Sequence, residues 1–137
     1  MEIVKVFAPA TVANVSCGFD VLGFCLDHIG DEVIVRKSDT PGVRITRIEG
    51  QDLPLATKEN VAGVAVEALL RKTETPYGFE IEIIKGIKAG SGIGSSAASS
   101  AGAVVGVNAL LGDPFSRKEL IAFAMEGEKL ASGAAHA

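Results

Sequence analysis

The sequence predicts an α+β domain of two layers, in which a mostly antiparallel sheet carries its helices on one face. Segments with the alternation of strands come first, and segments with helical spacing are grouped later in the chain. This order favours a two-layer α+β domain over an alternating parallel one. The length of 137 residues suits one domain with its own core, and no linker or repeat divides it.

Four segments are predicted to form strands. Residues 3–8 form the first strand, which is expected to end at Pro9. Residues 31–37 and 42–50 alternate polar and apolar side chains, which is the period of strands with one face in water. Only the sequence SDTP separates these two strands, so we expect them to pair antiparallel. Residues 77–86 form the last strand.

Three helices are predicted after or between these strands. Residues 57–72 place apolar side chains at helical spacing, with Thr57 as the expected N-cap. A second helix follows a glycine-rich turn and starts near Ser95. The third helix opens with a capping box formed by Ser116 and Glu119.

An uncharged run over residues 89–112 is long enough to be considered as a membrane span. Its first half is rich in Gly and Ser, which insert poorly, and Asn108 interrupts its apolar half. We therefore expect a helix buried inside the fold and no membrane association.

Charge and cysteine usage exclude other classes of protein. The formal net charge is −4 and the Lys and Arg residues are not clustered, so nucleic acid is not an expected partner. Cys17 and Cys25 lack the spacing of metal ligands, and no secretory signal precedes them. We expect reduced cysteines in a cytoplasmic protein.

Residues 88–94, with the sequence KAGSGIG, form a segment that we call the glycine loop. Gly90, Gly92 and Gly94 allow positive φ angles and let a ligand approach the backbone closely. Ser95 and Ser96 stand where the next helix begins, and a helix start offers unpaired N–H groups and partial positive charge. A phosphate group is therefore an expected ligand. The alternative is a strand-to-helix turn whose small residues only permit tight packing.

Three better-known glycine motifs do not fit the loop. A Walker loop has Gly-Lys-Ser/Thr, but Ser95 and Ser96 follow Gly94. The dinucleotide fingerprint requires glycine at the position of Ser95 and a further strand after the helix. A nucleophile elbow requires Gly-x-Ser-x-Gly, whereas Ser91 directly follows Gly90. Serine hydrolysis is therefore not expected.

The last helix places an acidic residue on its predicted buried stripe. Glu128 shares three- and four-residue spacing with four apolar residues, Leu120, Ile121, Ala124 and Ala131. A cation would offset the cost of burying this carboxylate, and Gly127 beside it leaves room for a close neighbour. Alternatively, the helix is rotated or frays before its end, which leaves Glu128 in solvent.

Two motifs resemble a known enzyme superfamily. KAGSGIGSSAASS, which starts at Lys88, is similar to the phosphate-binding motif of the superfamily that contains galactokinase, homoserine kinase, mevalonate kinase and phosphomevalonate kinase. FAPATVANVSCGFDVLGFCLD, which starts at Phe7, resembles the homoserine kinases within it. The resemblance implies the two-layer α+β fold and the transfer of phosphate from ATP to the hydroxyl of L-homoserine, a step of threonine biosynthesis. Homoserine kinases are longer than this chain, so we expect residues 1–137 to be their N-terminal ATP-binding domain, without the C-terminal domain.

The same resemblance implies the nucleotide contacts. Asn60 would line the base and ribose; the alternative is that it only belongs to the first turn of a helix. Lys88 stands where the family has proline, and its ammonium group either adds positive charge near the phosphates or points into water. The residues implied to surround the phosphates are Lys88, Ala89, Gly90, Ser91, Gly92, Ile93, Gly94, Ser95, Ser96, Ala97 and Ala98.

A magnesium site and a substrate site are also implied. Ser96 and Glu128 match the residues that hold Mg²⁺, a cation that prefers oxygen ligands. Asn14, Asp20 and His136 match residues near the amino-acid substrate. Asp20 suits an ammonium group, and Asn14 can donate and accept hydrogen bonds. Asn14 and Asp20 are alternatively turn residues, and His136 is alternatively a solvated side chain near the chain end.

Several alternatives remain open from the sequence. No catalytic base is assigned, because the superfamily carries it in a segment beyond Ala137. A homodimer is left open. Besides a homoserine kinase, the sequence is compatible with another kinase of the superfamily, with a non-catalytic nucleotide-binding or regulatory half, and with a structural subunit that has no ligand.

Overall fold

A computed structural model describes residues 2–12, 23–88 and 90–132. Its regular elements are, in chain order, β1 (Ile3–Val12), β2 (Phe24–Ser38), β3 (Gly42–Glu49), α1 (Val61–Leu70), β4 (Gly78–Ile84), α2 (Ser95–Leu110) and α3 (Arg117–Ser132).

The four strands form one sheet in the order β1-β2-β4-β3. β1 pairs with β2 and β2 pairs with β4 in antiparallel fashion, while β3 and β4 are parallel. α1 and α2 pack against the sheet, and α3 packs against both of these helices. The predicted α+β class with a mostly antiparallel sheet is confirmed.

The expected antiparallel pairing of residues 31–37 with 42–50 is wrong, because β4 lies between β2 and β3. Ser38 and Gly42, at the two ends of the short connection, both pair with Gly78, the first residue of β4. The connection therefore arches over the start of β4. A side chain at Gly78 would collide with the carbonyl oxygens of Thr40 and Gly42, so glycine is required there.

Several predicted element boundaries are also wrong. β2 begins at Phe24, well before its predicted start at residue 31. β1 continues past Pro9 to Val12, with a register irregularity between Pro9 and Thr11. β1 is an edge strand, where the missing N–H of proline is tolerated. Thr57 lies in a short 3₁₀ turn and donates its hydroxyl to the Val43 carbonyl at 3.1 Å, so it does not cap α1. The N-cap is Asn60, whose Oδ1 accepts from the Ala62 N–H at 3.0 Å.

The core lies between the inward face of the sheet and α1 and α2. Val33, Val35 and Ile81 of the sheet are fully buried. A Cβ atom on Gly102 would come within 2.7 Å of Val33 Cγ2, and one on Gly106 within 2.6 Å of Val35 Cγ2. Small residues thus let α2 lie directly on β2, as expected for a buried helix. Across the described ranges, no helix combines the length and the apolar character that crossing a membrane requires.

α3 begins as predicted but presents a different face to the core. Ser116 and Glu119 form the reciprocal capping box, with hydrogen bonds of 3.2 and 3.0 Å. The predicted buried stripe is wrong at Ile121, which is 56% exposed, and at Ala131, which is also exposed. Instead, Phe123 is buried and stacks edge-on against Phe115, because rotating the helix this way buries the large aromatic ring.

Candidate functional site

The glycine loop connects the end of β4 to the start of α2. Gly90, Gly92 and Gly94 have φ angles of 75°, 80° and 80°, as the sequence predicted. A Cβ atom on Gly94 would also come within 2.6 Å of Thr11 Oγ1. The Thr11 N–H donates to the Ile93 carbonyl at 2.9 Å, so the end of β1 is hydrogen-bonded to the glycine loop.

The start of α2 offers amide groups to a ligand. Its N-cap is Gly94, which makes no side-chain capping hydrogen bond. The first N–H groups of a helix have no carbonyl partner within the helix, and they carry partial positive charge. The N–H groups of Ser95 and Ser96 are therefore suited to an anion. The Ser91 N–H differs, because it donates to the Lys88 carbonyl at 3.2 Å within the loop.

A cavity of about 430 Å³ lies beside the loop. Its lining comes from the loop and α2 (Gly90, Gly92, Gly94, Ser95, Ser96, Ser99), from the connection between β3 and α1 (Gln51, Leu53, Pro54, Glu59, Asn60, Val61) and from Lys85 after β4. This volume falls in the range of small-molecule sites.

Ser96 and Glu128 come together from two different helices. The Ser96 hydroxyl donates to Glu128 Oε2 at 3.1 Å, and Glu128 is half-buried. α3 approaches this closely at Gly127, where a Cβ atom would come within 2.5 Å of the Val61 carbonyl oxygen and 2.6 Å of Ser100 Oγ. The rotation of α3 therefore does not leave Glu128 in solvent. Two side chains with oxygen atoms that can bind a metal lie beside the glycine loop.

The Ser96 hydroxyl and the Glu128 carboxylate fit a magnesium ion that takes most of its ligands from waters and phosphates. The described residues include no group of three or more His, Cys, Asp or Glu side chains that could hold a metal. Mg²⁺ commonly binds through one or two protein oxygens, with waters and substrate phosphates completing its shell. A hydroxyl and a carboxylate next to a phosphate-sized cradle match that pattern.

Asn60 lines the cavity but also has a structural task. It is buried, and its Nδ2 donates to the Pro54 carbonyl at 2.9 Å while its Oδ1 caps α1. The alternative that it belongs to the start of a helix is thus observed, and its contact with a nucleotide stays a prediction. Lys88 is exposed and is not among the cavity residues. Ala89, Asn14, Asp20 and His136 lie outside the described residues.

Sequence reasoning missed a buried ion pair at the cavity. Lys85 Nζ contacts Asp31 Oδ2, and their side chains are 1% and 0% exposed. A signal for this pair was present. Asp31 precedes Val33 by two positions, and Lys85 follows Ile83 by two, so each charge continues the inward face of its strand.

The cavity carries no net positive charge. Among the residues that the structure describes, the ionisable residues that line the cavity are Lys85 and Glu59. The charge of Lys85 is neutralised by Asp31. The lining thus supplies no uncompensated cation to an anionic ligand. Backbone amides and an added cation would have to supply the attraction.

Comparison with known proteins gives consistent matches. The profile of the family described as "GHMP kinases N terminal domain" matches residues 60–137. The homoserine kinase of Xylella fastidiosa (strain M12) is 51% identical over 134 residues, which cover 96% of this chain and 42% of that protein. A crystal structure of homoserine kinase from Cytophaga hutchinsonii superposes with a TM-score of 0.93 at 51% identity, over 99% of this chain and 44% of that one.

A more distant match concerns the fold alone. The galactokinase of Lactococcus lactis, solved with galactose, has a TM-score of 0.73 at 20% identity over 93% of this chain and 38% of that one. In each of these comparisons the chain spans less than half of the matched protein.

Proposed function

We propose, because this chain belongs to the GHMP kinases N terminal domain family, that it is the nucleotide-binding part of an ATP-dependent homoserine kinase. The reaction would convert L-homoserine to O-phosphohomoserine, in threonine biosynthesis. The observation that carries the proposal is that the Ser96 hydroxyl and Glu128 Oε2 lie 3.1 Å apart beside the glycine loop and the uncapped start of α2. The 51% identity to homoserine kinases supports the choice of substrate.

The triphosphate would lie along the glycine loop and the start of α2. The N–H groups of Ser95 and Ser96 point partial positive charge toward the phosphate oxygens. Gly90 and Gly92 have nothing within 4 Å of a built Cβ position, so their bare backbone leaves room for the phosphates. The nucleoside would extend toward Asn60 in the same cavity.

Ser96 and Glu128 would hold Mg²⁺ against the phosphates. When bound, this ion neutralises phosphate charge and stabilises the charge that develops during transfer. The need for it follows from the cavity itself, because Lys85 is already neutralised and Glu59 adds negative charge.

The chain's contribution to the chemistry is orientation. The homoserine hydroxyl oxygen forms a bond to the γ-phosphorus, the bond from that phosphorus to the ADP oxygen breaks, and the hydroxyl proton is released to solvent water. The amides of Ser95 and Ser96 would fix the γ-phosphate in line with the attacking oxygen, which is the main protein task in phosphoryl transfer. We assign no base to accept the proton.

The substrate side of the site is proposed from the resemblance alone. Asn14, Asp20 and His136 would contact homoserine. We expect the portion of the curated relatives that lies beyond this match to complete the pocket, so the chain alone would bind nucleotide without turnover. A cytoplasmic location is likewise proposed, and a homodimer stays an open expectation.

A kinase assay on an extended protein tests the proposal. The extended protein joins this chain to the remaining C-terminal portion of the Xylella fastidiosa homoserine kinase, which is assayed whole as the positive control. We expect Mg²⁺-dependent formation of ADP and O-phosphohomoserine with homoserine, and far less ADP with mevalonate, galactose or shikimate.

Each other outcome rejects a defined part of the proposal. Preference for another acceptor would identify a different kinase of the superfamily. Binding of MgATP without transfer to any acceptor, while the positive control is active, would indicate a non-catalytic nucleotide-binding half. Absence of nucleotide binding would indicate a structural role.

A further inference from the structure

The buried ion pair of Asp31 and Lys85 connects the two ends of the glycine loop. Asp31 Oδ1 accepts from the N–H groups of Gly86 and Ile87, at 2.9 and 3.0 Å, just before the loop. Lys85 Nζ donates to the Ser95 carbonyl at 2.9 Å and to Ser99 Oγ at 3.0 Å, just after the loop. We call Asp31, Lys85 and Ser99 the loop brace.

The hydrogen-bonding capacity of Lys85 is used up inside the protein. An ammonium group has three donors, and Asp31, the Ser95 carbonyl and Ser99 supply three acceptors. Ser99 Oγ in turn donates to Asp31 Oδ2 at 3.3 Å. Lys85 therefore lines the cavity without a donor left for a bound anion.

Stability alone does not explain why charges occupy this place. Replacing a buried ion pair by apolar groups of similar size is often neutral or stabilising, because desolvation offsets the attraction between the charges. Such a pair does supply hydrogen bonds of defined direction, which fix the positions of the groups that they join. Here every contact ends on a residue within the brace or on the backbone that enters and leaves the glycine loop.

We propose that Asp31, Lys85 and Ser99 are positioning residues that hold the end of β4 and the start of α2 at a fixed separation. This keeps the amides of Ser95 and Ser96 in the arrangement that accepts a triphosphate. The inference rests on the proposed nucleotide-binding function. It also assigns Lys85 a task other than direct contact with phosphate.

Removing the charge of Asp31 distinguishes two possible roles of Lys85, direct contact with phosphate and positioning of the backbone. If Lys85 contacted phosphate, Asp31→Asn would release its charge for the ligand, and the affinity of the chain for MgATP would stay equal or rise. A positioning role predicts that the affinity falls on the order of tenfold or more, because the loop loses its pre-organised geometry. Isothermal titration calorimetry on the 137-residue chain measures this.

A double variant guards against loss of folding. Asp31→Asn with Lys85→Met removes both charges and keeps a carbonyl oxygen for the Gly86 and Ile87 N–H groups. We expect a retained thermal unfolding transition with a similar loss of MgATP affinity. Retained affinity in this folded variant would overturn the inference.

Neighbouring serines of α2 offer a matched pair. Ser99→Ala removes a brace hydroxyl, whereas Ser100→Ala removes a buried hydroxyl that makes no hydrogen bond within the part of the chain that the structure describes. We expect weaker MgATP binding from Ser99→Ala and unchanged binding from Ser100→Ala. Equal effects of the two substitutions would contradict the brace.

Backbone relaxation separates this inference from the proposed function. In the unliganded chain, we expect ¹⁵N order parameters of about 0.85 at Ser95 and Ser96. In the double variant they should fall below about 0.6 while those of the sheet are unchanged. Unchanged order parameters at Ser95 and Ser96 would overturn the brace. This comparison needs no nucleotide, so it still tests the brace if the unsubstituted chain binds no MgATP and the proposed function fails.

Discussion

Glu126 and Glu128 lie two residues apart on α3 but have different surroundings. Glu126 pairs with Lys129 at 3.0 Å, and their side chains are 41% and 50% exposed. Glu128 instead faces inward and accepts the Ser96 hydroxyl. At the scale of single residues, the direction in which a carboxylate points decides whether it can serve a ligand.

We predict that Glu128→Gln weakens Mg²⁺-dependent nucleotide binding on the order of tenfold or more, because an amide oxygen is a poorer ligand for a hard cation. Calorimetric titration of ATP with and without Mg²⁺ checks this. Glu126→Gln is the matched control, and we expect no measurable change because an exposed ion pair contributes about 0–1 kcal/mol.

Two results would contradict the role of Glu128. One is an unchanged MgATP affinity in Glu128→Gln. The other is an equal loss of affinity for ATP in the absence of Mg²⁺, which would assign Glu128 to the nucleotide or to the loop rather than to the cation.

At the scale of elements, two glycines allow close packing at different places in the fold. Gly127 brings α3 against Val61 of α1 and Ser100 of α2, which is the contact that carries Glu128 to Ser96. Gly78 lies at the far end of β4 from Lys85, beneath the connection between β2 and β3. Both positions exclude a methyl group, but only Gly127 adjoins the candidate site.

We predict that Gly127→Ala and Gly78→Ala each lower the free energy of unfolding by about 1–3 kcal/mol, since each added Cβ atom meets backbone or side-chain atoms at overlapping distance. Only Gly127→Ala should also weaken Mg²⁺-dependent nucleotide binding, because it moves α3 and Glu128. Urea denaturation and calorimetry provide the two measurements.

The pair of glycine variants separates packing from function. If both variants bind MgATP as the unsubstituted chain does, the position of α3 is not coupled to the site. If Gly78→Ala weakens binding as much as Gly127→Ala, general loss of stability rather than displacement of Glu128 explains the effect.

At the scale of the whole molecule, the cavity is bounded by three segments that are distant in sequence. The loop with α2, the connection before α1 and the end of β4 all line it. A ligand that bridges these segments binds the folded chain and not the unfolded one. Ligand binding and folding are therefore linked.

We predict that MgATP raises the thermal unfolding midpoint of the chain, with about 2.7 kcal/mol of added stability at 100 times the dissociation constant. ATP without Mg²⁺ should stabilise less, because the cavity has no uncompensated cation. AMP, which lacks the β- and γ-phosphates, should stabilise least. Differential scanning calorimetry at matched ligand concentrations checks the order, and equal midpoints with AMP and MgATP would contradict phosphate binding at the loop.

The predictions from sequence succeeded where short-range interactions decide the structure. The capping box of Ser116 and Glu119 needs only residues three apart, and the positive φ angles of the glycine loop need only residues without a Cβ atom. The predictions failed where the sequence left a choice between two faces of one helix for burial, or between two possible partners for one strand. The stripe chosen on α3 included Ile121, but the packing of Phe123 against Phe115 sets the rotation.

The sequence by itself therefore determined the α+β class and the glycine loop at the start of α2. Only the tertiary structure decided that β4 enters between β2 and β3, that Asp31 meets Lys85, and that Glu128 reaches Ser96. The physical reason is the separation along the chain of the residues that interact. Backbone φ preferences and caps act over a few residues, whereas strand order and buried pairs depend on how segments from distant parts of the chain share one core.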